Sequence, residues 1–436
     1  MTMKGILLNK FSYIIYIIIF VFAQNTFCQT SSHSDRILNT IIIVGNKTTN
    51  KEVILRELLF REGDVLSDSL LKVSQERLEN LWLFNRVEFI QSANQNDVTL
   101  IISITERLYI FPFPIFTLDD RDWDKITYGF GVTHTNFRGW NEQIFGQVYF
   151  GNRPGYGFSY YNPWINRELH LTAGVYFQKY TTENHSIAFD EDHITASFSI
   201  GKYWNRDFYS KFSFYYDNIS VPSAAAYLME TGTKNEINNG ITFTSVYDKR
   251  DVYAYPTSGF FANITLRKSG LFSDEIDYFQ YAFDLRKYFS WRKLTSASRV
   301  FFINSFGDLP IYDKVYLGYS NRIRGHFNDT PIEGRHLFIA GQALRFPLIK
   351  LRYFTLPIVF LPGPSTQNLK FGLNAGFFAE TGYTWKWKDD FDTDKLITGY
   401  GAGLHFLLPY IEVLRLDLAF DEKFNHEFII EILMPF

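Results

Sequence analysis

The chain has 436 residues, a formal net charge of -3 and 19 % aromatic residues. Its mean hydropathy of -0.12 argues against a helical membrane protein, which needs runs of about 20 apolar residues. Nucleic-acid binding is disfavoured too, because it usually comes with a basic patch and a high pI. A neutral average with many aromatic residues is typical of a membrane β-barrel, whose strands alternate apolar and polar residues.

Residues 1–23 are interpreted as a secretory signal peptide. Lys4 and Lys10 supply its positive start, and the apolar core that follows is too short to span a membrane as a helix. Cleavage at the end of this segment leaves residues 24–36 as a polar, flexible tail. Cleavage before Gln29 is the alternative.

Cys28 is the sole cysteine of the chain. It is either a lipid-modified N-terminal residue or an incidental one near the cleavage site. Phe27 is bulky where lipoprotein processing needs a small residue, which favours the incidental interpretation. A single cysteine allows no intrachain disulfide and no cysteine-rich metal site.

Residues 37–107 have the pattern of a small α+β domain. The run Ile37–Val44 is rich in β-forming residues and predicts the first strand. Two further strands are predicted at Val87–Gln91 and Val98–Thr105, with a polar turn between them. Two helices fall between the first strand and this pair, so the predicted order is β-α-α-β-β.

The two helices of this domain are predicted from their caps and their apolar spacing. Thr49 or Asn50 caps the first helix, and Ser67 or Asp68 begins the second. The buried faces recur at helical spacing: Val53, Ile54, Leu55, Leu58 and Leu59 in the first helix, and Leu70, Leu71, Val73, Leu78 and Leu81 in the second.

Residues 108–436 change to strand-like segments separated by turns and loops. Apolar and polar residues alternate along them, for example in Leu169–Phe177 and Ile194–Ile200. A soluble sandwich would also alternate, but the signal peptide and the aromatic content favour an outer-membrane barrel. We predict a mainly β fold, with a sixteen-stranded antiparallel transmembrane β-barrel after the α+β domain.

The segment Tyr109–Phe116 is an unusual candidate for the first barrel strand. Pro112 and Pro114 cannot donate hydrogen bonds to a neighbouring strand, and proline is tolerated mainly at sheet edges or strand starts. If this segment is the first strand, we expect its closure against the last strand to be weak.

A long loop, residues 306–335, carries the run Ile-Arg-Gly-His at Ile323–His326. Loops of this length are usually either functional or disordered. Gly325 would allow a close approach of the backbone. For the loop alone, a functional and a disordered interpretation are about equally supported.

The strand predicted at Leu369–Trp385 favours the functional interpretation of the loop. Its apolar residues occupy one parity and its polar residues the other, so Glu380 points into the barrel lumen. A planar guanidinium can bind a carboxylate through two parallel hydrogen bonds. If the loop folds inward, Arg324 is therefore a candidate partner for Glu380.

These patterns together resemble a known family. The α+β unit resembles a single POTRA domain, and Ile323–His326 resembles the Val-Arg-Gly-aromatic motif of the BamA/TamA and two-partner-secretion superfamily, the bacterial surface antigen family. Glu380–Gly382 resembles its Asp-x-Gly strand motif, with Glu in place of Asp. Asp248–Gly259 is similar to a turn before a middle strand of that family. The motifs are specific jointly and weak singly.

The resemblance implies that Arg324 contacts Glu380 and holds the loop inside the barrel. The other residues of this loop-strand contact would be Ile323, Gly325, His326 and Gly382. His326 stands where the family usually has an aromatic residue. The resemblance therefore predicts the Arg324 contact better than the packing of the loop tip. Phe436 resembles the end-of-chain signal by which barrels are recognised for assembly; the alternative is an ordinary lipid-facing strand end.

Three acidic residues, Asp120, Asp122 and Asp124, suggest a calcium loop at first sight. That pattern needs Gly at its sixth position and Glu at its twelfth. Lys125 and Gly131 occupy those positions. We therefore predict an acidic loop and no metal site.

The sequence contains neither an H-E-x-x-H nor a G-x-S-x-G motif. We predict no enzymatic activity and no cofactor, although a Ser-His site built from distant strands is an alternative that a sequence leaves open. A second Arg-Gly pair, Arg138-Gly139, lies in a short connection and is interpreted as a turn.

By resemblance, the protein assembles, inserts or translocates other proteins at the bacterial outer membrane. The POTRA-like domain would lie in the periplasm and add client strands to an exposed edge, for which the candidates are Val87, Glu88, Phe89, Ile90 and Gln91. The barrel would act as the membrane template. The partners expected are unfolded or extended client proteins, outer-membrane lipid and accessory assembly proteins, with no nucleic acid.

Two alternatives to this function follow. A two-partner-type secretion pore usually resembles two POTRA units with an N-terminal plug helix, whereas one such unit is predicted here. A passive outer-membrane porin would explain the barrel but not the N-terminal domain.

Overall fold

The computed structural model describes residues 36–94, 97–118, 125–327, 329–357, 363–387 and 391–432. The predictions for the signal peptide, Cys28, the acidic loop Asp120–Asp124 and Phe436 concern residues outside these ranges. Among the residues described, no helix is both long enough and apolar enough to cross a membrane.

The N-terminal domain is a four-stranded sheet with two helices. Its elements are β1 (Arg36–Val44), α1 (Lys51–Leu55), β2 (Val65–Leu66), α2 (Asp68–Asn80), β3 (Phe84–Asn94) and β4 (Asp97–Glu106). The strand order is β2-β1-β4-β3, with β1 parallel to β4 and β3 antiparallel to β4. The predicted order of elements is confirmed, with the short strand β2 added, and β3 lies at an edge of the sheet.

Side-chain caps fix where both helices begin. The Asn50 side chain accepts a hydrogen bond from the backbone N–H of Glu52 at the start of α1. Ser67 does the same for Leu70 at the start of α2. Each cap satisfies a backbone donor that has no partner within the helix.

Two details of the helix prediction were wrong. α1 ends at Leu55, so Leu58 and Leu59 lie in the connection beyond it, although Leu58 is still buried in the domain core. Val73 is 41 % exposed, because it lies two residues past the buried Leu71 and therefore about 200° around the helix from it.

The C-terminal part forms one antiparallel sheet of sixteen strands. The strands are β5 (Ile110–Leu118), β6 (Ile126–Phe137), β7 (Glu142–Gly151), β8 (Gly155–Asn166), β9 (Leu171–Glu183), β10 (Asp190–Tyr203), β11 (Phe208–Ser220), β12 (Asn235–Asp248), β13 (Gly259–Ser269), β14 (Tyr278–Trp291), β15 (Leu294–Gly307), β18 (His336–Phe354), β19 (Leu369–Trp385), β20 (Ile397–Leu408), β21 (Glu412–Phe420) and β22 (His426–Ile432). The predicted sixteen-stranded fold is confirmed.

The connections between these strands contain the remaining elements. Two short strands, β16 (Val315–Leu317) and β17 (Ile332–Gly334), pair within the loop between β15 and β18. Short 3₁₀ helices lie at Ser223–Leu228, Ile311–Asp313, Gly363–Thr366 and Thr393–Lys395.

Alternation along β19 separates an exposed outer side from a buried lumenal side. Phe377 and Ala379 are exposed on the outside, whereas Phe378 and Glu380 are buried on the inside. In β22, Phe428 is likewise exposed. The face of Glu380 therefore follows from the period of two in a strand.

The first and last strands of the sheet, β5 and β22, are its two ends. In their described residues these strands form no ladder with each other. Pro112 and Pro114 lie in β5 opposite Val132 and Phe130 of β6. A weak seam between β5 and β22 stays a prediction.

The N-terminal domain contacts several turns at one end of the barrel. Asn80 of α2 donates to the carbonyl oxygen of Asp251 at 2.8 Å and accepts from the backbone N–H of Tyr253 at 2.8 Å. Asn85 of β3 donates to the carbonyl oxygen of Gln367 at 3.1 Å. These contacts reach the β12–β13 and β18–β19 connections, so the domain covers part of this mouth of the barrel.

Candidate functional site

The loop between β15 and β18 folds into the barrel. Its strands β16 and β17 form a hairpin that lies near β19. Ile323 is 1 % exposed and packs in a cluster with Val315, Leu317, Leu337 and Ile339. Apolar burial at this position therefore holds the middle of the loop against β18.

Arg324 binds Glu380 through its side chain and its backbone. Nε of Arg324 donates to Oε1 of Glu380 at 2.9 Å, and Nη2 donates to the same oxygen. The backbone N–H of Arg324 donates to Oε2 at 3.1 Å. Both carboxylate oxygens are thus used, and the carboxylate fixes the backbone of the loop as well as the guanidinium.

Arg324 also contacts two residues that the sequence analysis did not identify. Nη1 of Arg324 donates to Oδ2 of Asp417 in β21 at 2.9 Å. The guanidinium carbon lies 3.5 Å from the centre of the Phe378 ring in β19. The cation is therefore held by two strands and stacked on an aromatic face, which is a favourable geometry for arginine.

The charges at this site are almost completely removed from solvent. The side chains of Arg324, Glu380 and Asp417 are 4 %, 6 % and 0 % exposed. Arg415 adds a second cation, with Nε 2.9 Å from Oδ2 of Asp417. Arg415 also binds Glu431, so two arginines face three carboxylates, and removing Arg324 would leave the buried Glu380 uncompensated.

Glycines provide the space through which the loop passes. Gly325 has a φ of +97°, and a Cβ there would lie 2.6 Å from the carbonyl oxygen of Phe420. On β20, a Cβ on Gly399 would overlap the carbonyl oxygen of Arg324. A Cβ on Gly382 would approach Ile323 to 3.0 Å. The loop backbone therefore lies directly on these strands.

His326, which departs from the family motif, contacts the N-terminal end of β20. Its Nδ1 lies 2.6 Å from Oδ2 of Asp329, and its Nε2 lies 3.2 Å from the carbonyl oxygen of Thr398. The next residue, Phe327, packs against a buried cluster that includes Phe378 and Ala419. An aromatic ring therefore enters the barrel one position later than the motif predicts.

The sequence of β21 contains a pattern that predicts the lumenal position of Asp417. In β21, Leu414, Leu416 and Leu418 share one parity, and Arg415 and Asp417 share the other. This alternation alone places both charged side chains in the lumen. Strand parity does not predict the path of the loop, so it does not predict that these side chains contact Arg324.

The predicted client-binding edge lies in β3. Val87 is 1 % exposed and Ile90 is 51 % exposed, while Glu88, Phe89 and Gln91 complete the segment. The carbonyl oxygen of Val87 accepts a hydrogen bond from Nε2 of Gln75 at 2.9 Å. One acceptor of this edge is therefore occupied by a side chain of α2.

The remaining sequence predictions concern a turn and metal binding. Arg138-Gly139 lies in the turn between β6 and β7, and Nε of Arg138 donates to Oε2 of Glu142 at 2.9 Å. In the described part of the chain, no group of three or more His, Cys, Asp or Glu side chains could hold a metal ion.

Two family models match the chain. The Omp85 superfamily domain matches residues 136–428, and the surface antigen variable number repeat, a POTRA family, matches residues 37–107. A curated relative is the outer membrane protein assembly factor BamA of Nitratidesulfovibrio vulgaris, 22 % identical over 315 residues. The match covers 68 % of this chain and 38 % of that protein, so the chain spans well under half of the relative's length.

Solved structures share the fold at low sequence identity. BamA from Haemophilus ducreyi lacking POTRA domains 1–3 has a TM-score of 0.53 and 17 % identity, covering 92 % of this chain and 84 % of that one. CdiB from Acinetobacter baumannii has a TM-score of 0.52 and 14 % identity, covering 91 % and 73 %. CdiB from Escherichia coli has a TM-score of 0.54 and 12 % identity, covering 92 % and 75 %. The chain belongs to the Omp85 superfamily, as a BamA/TamA-type β-barrel of the outer membrane with a POTRA domain in the periplasm.

Proposed function

We propose that this protein assembles other proteins into the outer membrane, with the POTRA domain capturing extended client segments and the barrel acting as the template. Membership of the Omp85 superfamily supports outer-membrane protein assembly or secretion in general. Assembly and translocation factors of this superfamily are not enzymes, and no catalytic step is proposed. The observation that carries the finer proposal is the open edge of β3.

The edge of β3 has the properties that strand addition needs. β3 pairs with β4 on one side, and in the described part of the domain no strand lies on its other side. At the opposite end of the sheet, β2 pairs with Arg36 and Ile37 of β1, and the residues before β2 bind the backbone groups of Leu38 and the N–H of Ile41. Because Gln75 occupies the carbonyl oxygen of Val87, the available edge begins beyond Val87 and includes Glu88–Gln91. A client strand would gain main-chain hydrogen bonds there.

The barrel would contribute at its seam. Residues two apart in a strand direct their backbone groups to the same side, so Pro112 and Pro114 lack donors on one common side of β5. The ladder between β5 and β6 runs through both prolines without interruption. The missing donors therefore lie on the side of β5 that faces β22, and they would weaken pairing there. Client strands would enter the sheet at this place, while the Arg324 contacts keep the loop inside.

Reconstitution in liposomes tests the proposal. The purified protein should increase the yield of a folded client barrel, measured as the protease-resistant band that shifts on heating. Gln91→Pro should reduce this yield. Gln91 lies four residues after Val87, so its backbone N–H points to the same open edge of β3, and proline removes this donor. Gln91→Thr is the matched control and should leave the yield unchanged. If wild-type protein gives no more folded client than empty liposomes, the proposal fails.

A second candidate is a secretion pore, which the similarity to the two CdiB structures favours. The two functions predict different destinations for a client. Assembly leaves the client in the membrane, whereas secretion delivers it to the other side. Client protected inside sealed liposomes, with none in the bilayer, would support the pore and reject the template role of the barrel.

A further inference from the structure

A cavity of about 500 Å³ lies where the POTRA domain meets the periplasmic mouth of the barrel. Its POTRA wall includes Trp82 and Phe84 at the start of β3, and its barrel wall includes Tyr255, Asn374 and Tyr353. Neither Arg324 nor Glu380 lines it, so this junction cavity is separate from the loop site.

The junction cavity is strongly cationic in a chain whose net charge is -3. Its cationic residues are Arg107, Arg292, Lys293, Arg345, Lys350 and Lys370, and its acidic residues are Glu79 and Glu412. Glu412 is already bound by Arg107 at 2.6 Å and by Lys370. Burial raises the pKa of Glu79 above its ordinary value, and the cavity still has six cationic residues against two acidic ones. An excess of positive charge therefore faces the cavity.

Arg345 is the most deeply buried cation of the junction cavity. It is 1 % exposed, and its Nη2 donates to the carbonyl oxygen of Pro256 at 2.7 Å. Its guanidinium carbon lies 4.4 Å from the centre of the Tyr255 ring. This stacking uses the face of the guanidinium but not its in-plane N–H groups. Nε and Nη1 have no hydrogen-bond partner among the described residues.

We propose that the junction cavity binds a carboxylate carried by an extended client segment, with Arg345 as the buried donor and Lys293 and Lys350 at the rim. The proposal rests on the proposed function, because it assigns the partner of a cavity next to the client edge. β3 begins at Phe84, in the cavity wall. A client strand added antiparallel to β3 along Glu88–Gln91 would therefore point its C-terminal end towards the cavity, and the carboxylate would be that of the chain terminus beyond this strand or of an acidic side chain near it.

The position of the cavity favours a polypeptide over a lipid. Arg345 and Asn374 are lumenal residues, 1 % and 8 % exposed, and the POTRA domain forms the opposite wall. Trp82, Phe84 and Tyr353 would pack against apolar side chains that neighbour the carboxylate. A buried arginine with unpartnered in-plane donors is suited to a carboxylate, because Nε or Nη1 can donate a charge-assisted hydrogen bond to it.

The test uses a labelled peptide with the sequence of residues 426–436, His-Glu-Phe-Ile-Ile-Glu-Ile-Leu-Met-Pro-Phe, as a model client strand. Fluorescence anisotropy measures its Kd for the full-length protein in detergent micelles. Arg345→Gln should weaken binding about tenfold or more, because one charge-assisted hydrogen bond is lost. Lys293→Gln combined with Lys350→Gln, at exposed positions that leave the core intact, should weaken binding and reduce its salt dependence. Lys202→Gln, outside the cavity, is the control and should change neither.

Two modified peptides identify the source of the carboxylate. Loss of affinity on C-terminal amidation assigns the chain terminus, and loss on replacing both glutamates by glutamine assigns a side chain. Unchanged affinity of both modified peptides, no binding to wild-type protein, or an unchanged Kd in both cavity variants overturns the inference. Displacement of the peptide by phosphatidylglycerol, with no effect of either modification, assigns the cavity to lipid instead.

Failure of this inference can be told from failure of the proposed function. Client assembly in liposomes is measured with the same wild-type preparation. Assembly by wild-type protein, together with an unchanged peptide Kd in the cavity variants, rejects only the carboxylate site. Absence of assembly rejects the proposed function.

Discussion

At the scale of single residues, Arg324 connects three parts of the protein. It belongs to the loop, it binds Glu380 on β19, and it binds Asp417 on β21. A buried ion pair of this kind adds less to stability than its removal costs, because desolvation offsets much of the attraction. The site is therefore better suited to specify one position of the loop than to stabilise the barrel as a whole.

Removing either partner should be destabilising, but to different degrees. We expect Arg324→Ala to lower the free energy of unfolding by about 3–5 kcal/mol, because it leaves the buried Glu380 without a cation. Glu380→Ala should cost less, because Asp417 still binds Arg324. Urea titration of the heat-modifiable folded band measures the change. In the double variant the cost should be smaller than the sum of the single costs.

The same double-mutant cycle has an internal control. Lys268 of β13 and Asp277 form an ion pair in which the side chains are 36 % and 80 % exposed, so Lys268→Ala should cost about 1 kcal/mol or less. Strictly additive costs of Arg324→Ala and Glu380→Ala would show that the two side chains do not act as a pair.

At the scale of elements, the loop is held by backbone packing as well as by charge. The carbonyl oxygen of Arg324 lies where a Cβ on Gly399 of β20 would be. Neighbouring positions on β19 and β20 thus accept the loop only because they lack side chains. This packing and the ion pairs fix the loop independently of each other.

Gly399→Ala should therefore displace the loop without breaking its ion pairs directly. The backbone conformation at Gly399 suits alanine, so the effect comes from overlap with Arg324. We expect faster trypsin cleavage after Arg322 and Arg324 in the folded protein, read by mass spectrometry. Gly146→Ala on β7 is the matched control, because its Cβ would lie 4.0 Å from the nearest neighbour. Equal cleavage of the two variants would contradict this packing.

Strand periodicity explains how much of this site the sequence could predict. The alternation of β19 placed Glu380 in the lumen, because a strand has only two faces. Asp417 follows the same rule in β21, but the sequence does not predict that Glu380 and Asp417 lie at the same depth in the barrel, next to the loop. Gly399 could not be foreseen for a similar reason, since its role depends on the path of a chain segment 75 residues away in sequence. The end of α1 was missed because apolar spacing continues through Leu58 and Leu59 after the helix has stopped.

At the scale of the whole molecule, the lumen is occupied from both ends. The loop carrying Arg324 enters from one side. From the periplasmic side, the β12–β13 segment places Tyr255 within 2.9 Å of Nδ1 of His405 on β20. His405 in turn lies 3.8 Å from Asp417, too far for a hydrogen bond. The two segments therefore approach each other through lumenal side chains.

A lumen filled in this way should conduct ions poorly. In planar bilayers we expect rare, small openings of the wild-type protein, and a much larger steady conductance after deletion of residues 309–334. Deletion of 271–275, an exposed loop tip outside the lumen, is the control and should keep the low conductance. High conductance of the wild-type protein would instead support a passive porin.

The prolines of β5 have one more consequence. An open strand edge invites pairing with any extended chain, including the edge of a second barrel. Pro112 and Pro114 remove two donors from one side of β5, so an incoming strand can pair there only in an alignment that needs no hydrogen bond at either position. The missing donors therefore disfavour pairing with arbitrary strands, and they restrict the register of any strand that does pair with β5.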